Sequence, residues 1–563
     1  MSKKKRVKFK YAFALLLILV LALGGTYVVY KSISKINEAL NKKDDAYIGS
    51  KDYYVDLYDL EYNKVDKLVR GTKVSKYEKK VEQEIDEKNT KEYSKIEYKG
   101  KTYLVPIENT TDKYENSVYE KEKFVRTSLT IYEKTDDILI AGYAKKGTKL
   151  EITGFDKINE DGTINIYKIK NDKTEGYVYS KYLVDTVELA NENYNENGIY
   201  DIHKDRKYSY ELYGGKAANL DYYPYEKKEF EDNKFVDNAK AYYLVGSPAV
   251  INSIDKYIEL AKKAKATAFV VDIKDGALAY KSDISNNYTS TSYNTAMNSK
   301  ESYKAAIDKI KAANFYVIGR IVLFNDPTYA KDNPSDCIYT NGGKSTNWVS
   351  AYSRKAWEYN IRLALESIQL FDFNEIQFDY VRFPEASFNW SKQNYDFKNK
   401  YSEEKAQALQ TFLYYAADEI HKTNTYLSVD VFGESAGTYV TAYGQYFPAI
   451  SNIVDVISGM PYTDHFERND SSTWKNPYNT MNKWGKLVQT RQKEIPTPAK
   501  VRTWITAYNV PFWNPTITYG ANEIYQQVKG LSDAGIGSGF MTWNANSNYT
   551  KYQSIAEAFS KEY

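Results

Sequence analysis

Cysteine is almost absent from this chain: Cys337 is the single one in 563 residues, which excludes an intramolecular disulfide framework. Histidine is nearly as scarce. His203, His421 and His465 form no His-Glu-x-x-His pair, so no zinc-hydrolase signature is present. Neither sign of charge dominates, and a net charge of +3 provides no basic footprint for nucleic acid. With 13 prolines and 42% hydrophobic residues the chain is neither a proline-rich linker nor a disordered polymer. At this length a single ordinary core is excluded, and two to four domains are expected. What is abundant is tyrosine: its 57 copies suit both sugar-binding faces and the general usage of a Lys/Asn/Tyr-rich source.

The N-terminus carries the clearest local signal. Residues 1–10 form a basic tail (Lys3, Lys4, Lys5, Arg6, Lys8, Lys10), and an uncharged run follows from Tyr11 to Tyr30, closed by Lys31. A helix of that length spans about 30 Å, the thickness of the hydrocarbon layer. The basic flank predicts a cytoplasmic N-terminus and an extracellular remainder. A cleaved signal peptide is the rival reading, but the apolar run continues through Tyr27-Val28-Val29-Tyr30 without a convincing small-x-small cleavage site. The expectation is a single-pass anchor in the cell membrane at 11–30, with a polar stalk at 31–50.

Residues 51–186 read as short alternating β segments between charged turns. Two stretches echo each other, Leu68-Val69-Arg70-Gly71-Thr72-Lys73-Val74 and Tyr143-Ala144-Lys145-Lys146-Gly147-Thr148-Lys149-Leu150. The second copy, from Phe124-Val125-Arg126-Thr127 to Gly176-Tyr177-Val178-Tyr179-Ser180-Lys181-Tyr182-Leu183, resembles bacterial SH3-like domains. The segment 121–186 is assigned to that class, and 51–120 to a weaker copy. The resemblance implies peptidoglycan or wall glycan as a partner, or a spacer role. Residues 187–240 read as a linker.

From 241 to 563 apolar strand-like runs alternate with amphipathic helical stretches, the pattern of βα units and a parallel sheet. The expected strands are Ala241–Gly246, Ala268–Ile273, Tyr316–Phe324, Glu375–Val381, Tyr426–Phe432, Val454–Met460, Val501–Ala507 and Gly537–Trp543. The fold class is therefore α/β: a C-terminal (β/α)8, or TIM, barrel preceded by small all-β barrels and an N-terminal transmembrane helix. An open doubly wound sheet would need a Gly-rich phosphate turn after the first strand, and Val245-Gly246-Ser247-Pro248 is not one.

A barrel of this kind builds its active site at the C-terminal strand ends. Ionisable residues punctuate those ends: Asp272 and Lys274, Arg320 and Asp326, Asp379 and Arg382, Asp430 and Glu434, Asp464 and His465. Tyr462, Trp504 and Trp543 add aromatic faces. Glycosidic cleavage needs two carboxyl groups, one ionised and one protonated. Asp379 is the candidate nucleophile or base, with Arg382 expected beside it. Glu434 is the candidate acid and Asp430 its rival. Asp272, Lys274, Arg320, Asp326, Arg382, Tyr462, His465, Trp504 and Trp543 are the candidate substrate-binding residues. No cofactor or metal is implied. A rival motif, Gly433-Glu434-Ser435-Ala436-Gly437, fits the G-x-S-x-G nucleophile elbow, but only 30 positions separate Ser435 from His465, too few for an α/β-hydrolase.

The runs Val271–Asp275, Gly319–Pro327, Glu375–Pro384, Ser428–Gly433 and Asp455–His465 resemble, in order, a bacterial glycosyl hydrolase domain family with a (β/α)8 barrel distantly related to the α-amylase type. The resemblance covers about 240–555. It implies Asp379 as nucleophile and Glu434 as the fifth-strand acid. Trp504-Ile505-Thr506 stands where Trp-Leu-Gln is usual, and Gly459 and Thr463 stand where prolines are. The expected function is an extracellular, membrane-anchored glycoside hydrolase acting on a cell-wall or surface polysaccharide. A non-catalytic glycan-binding scaffold or sensor is the alternative.

Overall fold

The computed structural model describes residues 42–86, 89–172, 174–206, 211–466 and 470–563, together with Leu19, 24–26 and Lys31. The expected anchor at 11–30 lies almost wholly outside the described residues. Among the described residues no helix is long and apolar enough to cross a membrane. The chain divides into two compact units, 1–123 with 149–185, and 124–148 with 186–563.

The first unit is all-β, as the SH3-like resemblance implies. Its larger sheet runs Lys64–Val69, Tyr54–Tyr58, Lys101–Pro106, Asn89–Tyr98, Lys73–Asp86, Lys43–Ile48 and Thr110–Thr111 in spatial order. Alternation puts Ala46, Ile48, Val55, Leu57, Leu68, Val74, Ile96 and Val105 on one buried face. In the same unit Lys149–Phe155, Ile166–Asn171 and Thr174–Tyr179 pair antiparallel. At the first echoed turn, Gly71 has φ +81°, a conformation that side chains with a Cβ rarely adopt.

In the second unit, an antiparallel hairpin (Leu129–Tyr132 with Ile140–Ala144) precedes the parallel strands. These are β1 (Ala239–Leu244), β2 (Ala268–Asp275), β3 (Tyr316–Val322), β4 (Glu375–Asp379), β5 (Tyr426–Phe432), β6 (Val456–Met460), β7 (Lys500–Val501), β8 (Thr503–Thr506) and β9 (Gly539–Trp543). Their spatial order is β7-β6-β5-β4-β3-β2-β1-β9-β8. Only Arg502 separates β7, on one end of that path, from β8 on the other, so nine strands joined by eight ladders make a nearly closed parallel barrel. The intervening amphipathic helices include α1 (Ile254–Ala264), α2 (Lys300–Ala312), α3 (Arg354–Phe371), α4 (Lys405–Ile420), α5 (Pro477–Gln492), α6 (Ala521–Asp533) and α7 (Tyr549–Phe559).

Inside the ring, small residues on β1 and β2 (Ala239, Ala241, Ala268) leave room for Tyr243, Tyr316, Tyr462 and Trp504. This is the filled interior of a TIM-like barrel, not a pore. Residues 187–240, expected to be a linker, pack on the barrel's flank. Ile199, Leu220 and Tyr222 share an apolar cluster with Ala406, Val440, Tyr446 and Ala449. His203 is fully buried there, stacked on Tyr222 at 4.1 Å, and burial pushes its imidazole down to about 4.

Candidate active site at the barrel mouth

Parallel register places Asp272 of β2 opposite Arg320 of β3, and Val322 of β3 opposite Asp379 of β4. Side chains at these inward positions meet across the strands. Arg320 Nη1 donates to Asp272 Oδ1 at 2.8 Å and to Asp275 Oδ2 at 3.0 Å, while Nη2 donates to Asp379 Oδ2 at 2.6 Å. Its Nε lies 3.8 Å from Asp430 Oδ2, and neither atom has a hydrogen-bond partner. One guanidinium is thus shared among four carboxyl groups. Above it stand Tyr243 and Trp543, the Trp543 ring 5.2 Å from the guanidinium carbon.

This imbalance decides the protonation states. Burial, followed by the Asp379 charge, raises Asp430 well above the usual carboxyl range. Asp272 is raised to about 6, because burial costs its anion more than a shared Arg320 returns. The Tyr243 hydroxyl donates to Asp272 Oδ2 at 2.5 Å. Asp430 is 1% exposed, and its Oδ1 accepts the Trp504 indole N–H at 2.7 Å. Trp504 is itself buried within the barrel core.

Asp379 sits where its strand ends. The next residue, Tyr380, has φ +54°, costly for a bulky side chain, and its N–H turns back to Asp379 Oδ1 at 2.6 Å. That turn also directs Arg382 away. The expected cation beside Asp379 was Arg382; the one placed there is Arg320. Arg382 instead donates to Glu385 (2.9 Å) and the Phe383 carbonyl (3.1 Å), under the rings of Phe432 and Tyr380.

Glu434 begins the loop after β5, exposed, with Oε1 accepting from Tyr439 and Oε2 from Tyr443, each at 2.9 Å. Helix α5 fixes this loop: Trp484 Nε1 donates to the Gly433 carbonyl at 3.1 Å. The Trp484 ring lies so close to β6 that a Cβ on Gly459 would sit 2.3 Å from it, which explains glycine at that position. Glu434 borders a cleft of about 700 Å³ that also holds Tyr462, Asp464, His465 and Trp513. The neighbouring Ser435 is buried, with its hydroxyl donating to the Phe432 carbonyl at 2.7 Å, so it is not poised as an elbow nucleophile.

Lys274 and Asp326 do not join this group. A register shift after Asp272 turns Lys274 toward α3, where it donates to Asp326 at 2.6 Å and to Asn360 at 2.8 Å. Asp326 also caps the short helix Pro327–Asp332 through the Tyr329 N–H. The structure therefore brings together Asp272, Arg320, Asp379, Asp430, Trp504 and Trp543 in one layer, and Glu434, Tyr462 and His465 along the cleft. Tyr243, Asp275, Tyr439 and Tyr443 were not singled out from the sequence. The signal for Tyr243 was available: a hydroxyl near the end of the first barrel strand. Among the described residues no cluster of His, Cys, Asp and Glu has the arrangement of a metal site.

Residues 241–549 match the family described as "Putative glycosyl hydrolase domain". No curated protein matches the chain. Among solved structures, a hypothetical protein from Ruminiclostridium thermocellum ATCC 27405 is 29% identical, covering 34% of this chain and 96% of its own, with a TM-score of 0.28. The PgaB (BpsB) glycoside hydrolase domain from Bordetella bronchiseptica is 11% identical, covering 58% and 100%, with a TM-score of 0.43. The spore cortex-lytic enzyme SleL of Bacillus megaterium QM B1551 is 11% identical, covering 58% and 75%, with a TM-score of 0.35.

Proposed function

The chain belongs to this family of glycosyl hydrolase domains, and from that premise we propose that it is a glycosidase cutting a polysaccharide at the mouth of a (β/α)8 barrel. Asp379 attacks or activates water as the ionised carboxylate. Glu434 delivers the proton to the leaving oxygen, its carboxyl oriented by Tyr439 and Tyr443. Asp430, weighed against Glu434 from the sequence, is fully enclosed, with burial and the Asp379 charge raising its pKa, so it serves to position Arg320 rather than to touch substrate. Asp272 and Tyr243 steady the same guanidinium.

The observation that carries this reading is the division of labour among carboxyl groups around one arginine. Glycosidic cleavage needs two carboxyls in unlike environments. Here Asp379 is gripped by Arg320 at the strand end, while Glu434 at the cleft has no ion-pair partner among the described residues. Membrane attachment through 11–30, an extracellular barrel, and peptidoglycan binding by the SH3-like region complete the proposal, which makes a wall or surface polysaccharide the substrate.

The test is release of reducing ends from purified wall and capsule polysaccharides by the full-length protein and its Asp379→Ala variant. The parent is expected to release them and the variant to fall by about 10³-fold or more, some 4 kcal/mol of transition-state stabilisation. Binding by both proteins without release by either would assign the barrel to glycan binding alone.

A further inference from the structure

The cleft beside Glu434 carries information about its ligand that the catalytic groups do not. Its walls are aromatic: Tyr439, Tyr462, Phe466, Trp484 and Trp513 line it. The loop that supplies Trp513 also presents Phe512, which is 88% exposed, an unusual placement for so large an apolar ring. Flat rings of this kind stack on the C–H faces of sugar rings, and the cleft volume of about 700 Å³ suits several of them.

The charges point one way. Glu434 and Asp464 are the ionisable carboxyls on the walls, and among the described residues the walls include no Lys or Arg. Asp464 is held in place by the Tyr508 hydroxyl at 2.6 Å and, through its carbonyl, by the Trp513 indole at 3.1 Å. Among the described residues, the two guanidiniums at the mouth are engaged. Arg320 donates to Asp272, Asp275 and Asp379, and Arg382 to Glu385 and the Phe383 carbonyl. Neither fork is free to receive a carboxylate or phosphate of a ligand. The one wall imidazole, His465, packs edge-on against the Tyr462 ring at 5.0 Å.

We infer that this cleft takes a stretch of glycan bearing no acidic group, neutral or amine-bearing, and rejects uronate- or phosphate-containing polymers. The inference rests on reading the mouth as a glycan site. A ligand carboxylate placed there would meet the Asp464 carboxylate with no wall cation among the described residues to offset it, and like-charge juxtaposition is penalised strongly in a partly dry cleft. A free amine would be drawn by Asp464.

Isothermal titration calorimetry of the full-length protein with three hexasaccharides tests it: N-acetylchitohexaose, its fully deacetylated counterpart, and hexagalacturonate, each at low and high salt. The first two are expected to bind, the deacetylated one losing affinity as salt rises. Hexagalacturonate is expected to bind at least about tenfold more weakly. Trp513→Ala should weaken the neutral hexamer about tenfold. Asp464→Asn should narrow the gap between neutral and anionic ligands, with circular dichroism confirming that each variant is folded. Equal or tighter binding of hexagalacturonate, or no binding of any of the three, would overturn the inference. Hydrolysis is read separately. A protein that binds the neutral hexamer and cuts no glycan keeps this inference and loses the proposed activity. One that cuts a polyuronate does the reverse.

Discussion

The two ends of the barrel each bury an arginine among carboxyl groups, yet they are built on opposite accounts of charge. At the N-terminal end of the strands, Arg502 Nη1 reaches both oxygens of Glu375 at 2.9 Å, and Tyr316 donates to the same carboxylate at 3.1 Å. One cation meets one anion, both fully buried, and the Phe235 ring lies 5.4 Å from the guanidinium carbon. At the C-terminal end, Arg320 faces Asp272, Asp275, Asp379 and Asp430, of which Asp275 is exposed and Asp379 keeps only a sliver of its carboxyl at the surface. A matched pair sealed from water can only hold structure, and its worth lies in what breaking it costs. An unmatched cluster must keep protons, shift acidities and leave one group accessible, which are the properties that acid–base chemistry uses.

The sharpest way to separate the ends is Glu434→Gln. Removal of the acid is expected to slow cleavage of ordinary glycosides by about 10²–10⁴-fold, while an activated aryl leaving group, needing no proton, is cut at close to the parent rate. Initial rates on the two substrates give the ratio directly. At the opposite end, Arg502→Met leaves Glu375 buried and alone, and should cost about 3–5 kcal/mol in urea unfolding. Adding Glu375→Leu to that variant should return most of the loss, because the pair is structural.

A pH series distinguishes the ends more gently. Asp272 has its folded acidity raised by burial to about 6, above its unfolded value. Its protonated form therefore stabilises the fold; that contribution is complete below about pH 4 and is lost as pH rises through about 6. Unfolding free energies measured from pH 4 to 7 should fall by an amount on the order of 1–3 kcal/mol from this group, and Asp272→Asn should flatten that slope. The smallest effect belongs to Asp430→Asn. An amide replaces a carboxyl whose burial already disfavours its charged form, so stability should change by less than about 1 kcal/mol in the same assay. A loss as large as that of Arg502→Met would mean that Asp430 is ionised and that the two ends are alike.

The barrel itself was largely legible in the sequence. Strand β5 falls where periodicity puts it, because it is a largely apolar run. Helix α5 carries a much weaker periodic signal. Its sequence, from Pro477 to Gln492, is dominated by Asn, Thr, Lys and Gln, and its buried face is marked by Pro477, Thr480, Met481, Trp484, Gly485, Val488 and Arg491, few of them strongly apolar. The Asn476-Pro477 start, a capping residue before a proline, was the available signal. At the site, the residue types were readable and the pairings were not. Arg382 is three positions from Asp379 along the chain, but the left-handed turn at Tyr380 separates them, and the neighbouring strand supplies Arg320 instead. Lys274 and Asp326 show the same limit: a register shift moves Lys274 off the inward face, which alternation alone cannot foretell.

The central claim, that the mouth acts and the opposite end holds, is tested most directly by crossing two variants in two assays. Reducing-end release per folded molecule and the urea midpoint would be measured for the parent, Asp379→Ala and Arg502→Met. The account predicts that Asp379→Ala abolishes release with little change in midpoint, and that Arg502→Met lowers the midpoint while the folded fraction keeps the parent rate. Full release by a stable Asp379→Ala protein would contradict it.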